Sequence, residues 1–140
     1  MNFMLVILHG LVTDEQLDAH ISRMLEDQYD SPGKLGLVVM CKSISTRDLS
    51  FKAIFSAGKR MKKAKFRSHG KVAFVTKSAV SFGLARIYKS AAEVADLDEI
   101  RILRSDGLEK AIQWLGVEQY SDPIHHQITR YEQVAEYAVK

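Results

Sequence analysis

Four times along the chain, a short strand-like segment gives way to a stretch in which apolar residues recur every three or four positions. Three of the segments, Phe3 to His9, Leu35 to Cys41 and Val72 to Val75, are largely continuous apolar runs, and the fourth, Ile100-Arg101-Ile102-Leu103, is shorter and holds one charged residue. Runs of this kind, without polar alternation, suit parallel strands that are covered on both faces. The clearest unit lies between Lys71 and Tyr88. There Val72-Ala73-Phe74-Val75 is broken by Lys77-Ser78, after which Val80, Leu84, Ile87, Ala91 and Val94 take up helical spacing. One stripe of that helix can fold back on the strand before it.

The other helices carry their own start and stop signals. Thr13-Asp14-Glu15-Gln16 has the form of a capping box and opens a helix with the stripe Leu17, Ile21, Met24, Leu25 and Gln28; Ser31-Pro32-Gly33 closes it. A second helix is predicted from Ser50, its cap, to about Lys65, with Phe51, Ile54, Phe55 and Met61 on the buried side. Asp106-Gly107-Leu108-Glu109 is a second capping box, followed by Leu108, Ala111, Ile112 and Leu115 with Trp114 beside them, and Gly116 ends that helix. Ser121 or Asp122 caps a tail helix with Pro123 at its first helical position. Its seam, Ile124, Ile128, Tyr131, Ala135 and Ala138, suits one partner surface, either the body of the domain or a second subunit. The expected fold is α/β: four strand-helix units forming a mainly parallel sheet flanked by helices over residues 1–117, and a C-terminal helical extension over 118–140.

Length and composition, 140 residues with 46% hydrophobic and 26% charged, fit one globular domain. Charge adds more. The net charge of +3 divides into −5 over residues 1–33, +13 over 34–89 and −5 over 90–140. Lys52, Lys59, Arg60, Lys62, Lys63, Lys65 and Arg67 form a basic docking patch on and after the second helix. Phe66 is the one aromatic between Lys59 and Lys71, and no stacking series or nucleic-acid motif accompanies the cations, so nucleic acid is disfavoured as a partner. Cys41, the single cysteine, falls inside an apolar run, which suits a small buried thiol in a reducing compartment. The start MNFMLVILHG reads as a strand, no apolar run approaches membrane-spanning length, and a cytoplasmic location is expected.

Little in the chain asks for catalysis. No phosphate-binding glycine loop, dinucleotide fingerprint or serine elbow is present, and no cofactor is expected. His125 and His126 project about a hundred degrees apart on a helix, and His9, His20 and His69 stand alone, so no metal site is expected. Open parallel sheets bind ligands at the carboxyl ends of their strands. The residues there that could hold an anion are Thr13, Ser43, Ser45, Asp48, Thr76, Ser78 and Ser105. Ser50 is first a helix cap; as a candidate phosphoacceptor it would place new negative charge at a helix start near Arg47 and Lys52.

Asp48-Leu49-Ser50, Lys71-Val72-Ala73-Phe74-Val75, Phe82-Gly83-Leu84-Ala85-Arg86-Ile87-Tyr88 and Leu108 to Leu115 together resemble the small bacterial STAS-like proteins. These share a fold with anti-sigma-factor antagonists and with CRAL-TRIO lipid-exchange domains. The resemblance covers residues 3 to 117. It implies a non-enzymatic regulatory or protein-interaction module, anti-sigma-antagonist-like, and the tail helix and charge segregation add the expectation of a homodimer. The alternative it implies is a carrier for a small apolar or lipid-like ligand. Antagonists of this type carry a phosphorylated serine directly after an aspartate, whereas Leu49 separates Asp48 from Ser50 here.

Overall fold

The computed structural model describes residues 3–26, 35–61, 70–92 and 98–139. In chain order the elements are β1 (Phe3–Leu8), α1 (Asp14–Glu26), β2 (Leu35–Met40), α2 (Phe51–Met61), β3 (Gly70–Thr76), α3 (Ala79–Ala92), β4 (Asp98–Leu103), α4 (Leu108–Leu115) and α5 (Ser121–Val139). Short 3₁₀ turns at Ser105–Gly107 and Glu118–Tyr120 lead into α4 and α5. The strands form one all-parallel sheet in the order β1-β2-β3-β4, as the alternation of strand and helix predicts.

Register sorts the strand residues into two faces. Leu5, Leu37, Ala73 and Arg101 lie in one row, with Ile7, Val39, Val75 and Leu103 two residues on; Met4, Gly36, Val72 and Ile100 form a row of the opposite face, followed by Val6, Val38, Phe74 and Ile102. Because the strand order follows the chain and such crossovers are right-handed, α1, α2 and α3 all lie on one side. The even-numbered residues accordingly pack against α3 and α2, through Ala85, Tyr88, Ala92, Ile54 and Leu84. The odd-numbered residues pack against α4 and the first half of α5, where Ala111, Ile112, Leu115, Val117, Ile124 and Ile128 are buried. Part of the tail helix therefore belongs to the core of the domain.

Local details explain the joints. Thr13 and Gln16 make the reciprocal capping box, each backbone N–H donating to the other's side-chain oxygen at 3.1 Å. Ser78 Oγ accepts from the Ser81 N–H and caps α3. Gly116 ends α4 in the left-handed conformation, φ 72°. The capping box expected at Asp106 is absent: Asp106 sits inside the 3₁₀ turn, and the N-cap of α4 is Gly107, which has no side chain to cap with. Cys41 is buried, as expected of a thiol inside an apolar strand run.

Two helices meet the expected stripe in part: Ile54 and Met61 of α2 and Leu84 and Ala91 of α3 are buried as expected, and Val94 lies outside the described residues. In α2 the buried side is Ile54, Ala57, Gly58 and Met61, while Phe51 and Phe55 stay 69% and 46% exposed. In α3 the buried side includes Ser81, Leu84, Ala85, Ala91 and Ala92, and Val80 is 60% exposed. The reason is steric. α2 and α3 approach so closely that a Cβ on Gly58 would lie 2.7 Å from Ala91 Cβ and 2.8 Å from the Tyr88 carbonyl oxygen. Small residues must fill that contact, which turns the phenylalanines outward. Residues 62–65, the expected end of this helix, lie outside the described residues.

Candidate functional site

The carboxyl ends of β1 and β2 are tied together by backbone. Leu11 and Ser45 form an isolated parallel bridge; Val12 N–H donates to Ser45 O at 3.1 Å and Ser45 N–H to Gly10 O at 2.7 Å. Asp14 N–H donates to Asp48 O, which brings the starts of α1 and α2 side by side. Ser50 then joins them: its Oγ accepts from Ala53 N–H at 3.0 Å and donates to Asp14 Oδ2 at 2.8 Å, while Ser50 N–H donates to Asp14 Oδ1 at 2.7 Å. A phosphate on Ser50 would face the Asp14 carboxylate and displace it. Replacing Ser50 with alanine removes both the cap and the Asp14 hydroxyl contact, and about 1 to 2 kcal/mol of stability should be lost in chemical denaturation.

The remaining anion candidates divide. The Thr13 hydroxyl is spent in the α1 capping box, and Ser45 is held in the junction just described by its backbone. Thr76 is buried and spends its hydroxyl on Leu103 O at 3.2 Å. Ser78 is the α3 cap, Ser105 is exposed in a 3₁₀ turn, and Ser43 Oγ is buried with no hydrogen-bond partner among the described residues. Most of these groups satisfy backbone and neighbouring strands. Among the described residues, no three His, Cys, Asp or Glu side chains are grouped to hold a metal ion. His125 pairs with Glu109, and His9 stacks on Tyr131 with ring centroids 4.3 Å apart.

The outer face of α2 and α3 is distinctive. Phe51, Phe55 and Val80 are its exposed apolar residues, and Phe55, Gly83, Arg86, Ile87 and Ser90 line a groove between the two helices. Neither helix contains a carboxylate, whereas Lys52, Lys59, Arg60, Arg86 and Lys89 are all on them. Lys59 Nζ lies 5.6 Å from the Phe55 ring centroid, and Arg104 stacks over Phe82 at 4.4 Å. Of the basic patch expected from the sequence, Lys52 and Lys59 belong to this face. Arg60 instead turns to α1, where it is ion-paired with Asp18 and donates to Ser22 Oγ. Lys62, Lys63, Lys65 and Arg67 lie outside the described residues. The apolar half of the face has one sequence signal, the i, i+4 pair Phe51 and Phe55, which helical spacing alone places on the buried side.

Beneath the same helices lies a cavity of about 100 Å³, between α1–α3 and the even face of the sheet. Met4, Gly36, Met40, Met61 and Phe74 help to line it, and His20 from α1 contributes an imidazole. Burial, aided by the nearby positive charge of Arg23, lowers the His20 pKa from its usual value. Below pH 6.5 the unfolded chain binds this proton before the folded chain does, so the His20 contribution to stability is complete above that pH and declines as pH falls toward the folded value. Denaturation midpoints measured from pH 7.5 to 5 should fall less steeply in His20→Phe than in the native chain.

No helix among the described residues is long and apolar enough to cross a membrane. Comparison of the chain with models of known families, with curated proteins and with solved structures finds no match.

Proposed function

We propose that the chain is a non-enzymatic regulatory module of the STAS-like type that acts by docking a protein partner on the outer face of α2 and α3. The observation that supports this is the exposure of Phe51, Phe55 and Val80 on two helices that carry cations and no carboxylate. Exposed aromatic residues of this kind contribute to binding when a partner excludes water from them. The surrounding positive charge selects a partner that presents carboxylates around an apolar strip, and speeds its approach at low salt. In this reading Ser50 serves as a cap, and regulation comes from occupation of the face rather than from phosphorylation. A second copy of the chain pairs elsewhere, since two copies of this face would set like charges against each other.

The test starts with a photo-crosslinking amino acid at position 55 and a control at exposed position 126. A protein crosslinked from position 55 alone is purified and titrated calorimetrically against the native chain and against Phe51→Ser/Phe55→Ser. Loss of binding of at least tenfold in the double variant, and weakening by salt, is expected. Equal crosslinking from both positions, or equal affinity of the two chains, rejects the α2–α3 face. Light scattering at several concentrations should give twice the chain mass, and a monomer mass removes the proposed pairing.

A further inference from the structure

The cavity under α1–α3 has features that ordinary close packing does not need. Protein interiors are filled to the density of organic crystals, and voids larger than a water are few. This one lies against the middle of the sheet, where Gly36 contributes no side chain to the even face and Val72 and Met4 flank it in register. On this face of β1 Met4, Val6 and Leu8 are only half-buried, and among the described residues of α1 Ile21 alone is in the buried core, so that corner of the helical layer covers the sheet loosely. Three of the lining residues are methionines, whose unbranched, polarizable side chains reshape around different contents.

We propose that this cavity is a binding site for a small, mainly apolar molecule, of the size of one aromatic ring or a short branched chain, with a single neutral polar group meeting His20. An apolar cavity of about 150 Å³ is known to take up benzene, so about 100 Å³ with adaptable methionine walls matches one ring. It is smaller than the several hundred Å³ that drug-sized ligands occupy, which narrows the lipid-like ligand expected from the sequence to something far shorter than an acyl lipid. Phe74 and Tyr88 supply aromatic surface, with ring centroids 5.4 Å apart and planes tilted by 57°. Burial keeps the His20 imidazole neutral, with one donor and one acceptor, so a hydroxyl is a better match to it than a carboxylate. The site is independent of the outer face: the cavity lies on the sheet side of α2 and α3, whereas Phe51 and Phe55 point away from it.

The experiment uses ¹³C-methyl methionine spectra of the full chain titrated with benzene and with phenol. Saturable shifts of the Met4, Met40 and Met61 methyls are expected, with phenol bound more tightly than benzene and that preference lost in His20→Phe. Ala85→Leu fills the cavity from α3 and should weaken binding at least tenfold. If that variant fails to fold, Val38→Ile fills it from the sheet and serves the same purpose. Absence of methyl shifts up to the solubility limit of benzene overturns the site, as do undiminished shifts in a folded, cavity-filled variant. Phe51→Ser/Phe55→Ser should leave these titrations unchanged, which separates failure of the cavity from failure of the docking face.

Discussion

Gly58→Ala should unfold the protein at a markedly lower denaturant concentration than the native chain, whereas Gly83→Ala should raise the midpoint. In an open helical position the glycine-to-alanine change gains about 1 kcal/mol, because alanine surrenders less backbone entropy on folding. Gly83 is such a position, with nothing within 4 Å of the added carbon. At Gly58 the added carbon would meet the α3 backbone at 2.8 Å, and backbone cannot rotate aside as a flexible side chain can. Overpacking typically costs about 1 to 3 kcal/mol. That exceeds the propensity gain when two helices must be forced apart, and the net change should be destabilising by about 1 to 2 kcal/mol. Urea titrations of both variants check the signs. A stabilised Gly58→Ala would mean that α2 and α3 do not approach closely, and with it would go the reason for Phe51 and Phe55 facing outward.

Ile124→Ala should cost more still, about 2 to 5 kcal/mol, since Ile124 is 1% exposed and packs in the largest core cluster with Ile112, Leu115 and Val117. Removal of residues 121–140 should leave a chain that fails to fold cooperatively, because it uncovers the odd face of β1 and β2 where Leu5, Leu37 and Val39 lie. A mass change in light scattering after that deletion is therefore no measure of subunit pairing. Circular dichroism melts of Ile124→Ala and of the shortened chain provide the check. A shortened chain that melts cooperatively near the native temperature would make α5 an appendage.

These contacts explain how far the sequence could be read. The strands were legible because Val72 to Val75 and Leu35 to Cys41 are unbroken apolar runs, and few other structures need such runs. α3 is legible in part: Leu84 and Ala91 are buried as their spacing predicts and Ile87 packs beside them, whereas Val80 is exposed. The rest of its buried side is Ser81, Ala85 and Ala92, small residues that carry little weight in a hydrophobic pattern. α2 repeats the effect, since Gly58 matters only because Ala91 and Tyr88 stand opposite. Ser50 was legible as a cap from its position, but its bond to Asp14, 36 residues earlier, depends on how α1 is set beside α2. The cavity had no sequence signature, because it belongs to the gap between layers and to no one element.

The two faces of the sheet differ: under α4 and α5 Leu37, Val39, Ala73 and Val75 are completely covered, whereas under α1 a cavity remains that has room for a small ligand. Native-state amide hydrogen exchange measures this directly. Amides of α4 should open with free energies near that of global unfolding, while those of α1 exchange through openings at least tenfold more populated, and saturating benzene should slow exchange in α1 more than in α4. Equal protection of α1 and α4, with no response to benzene, would contradict it.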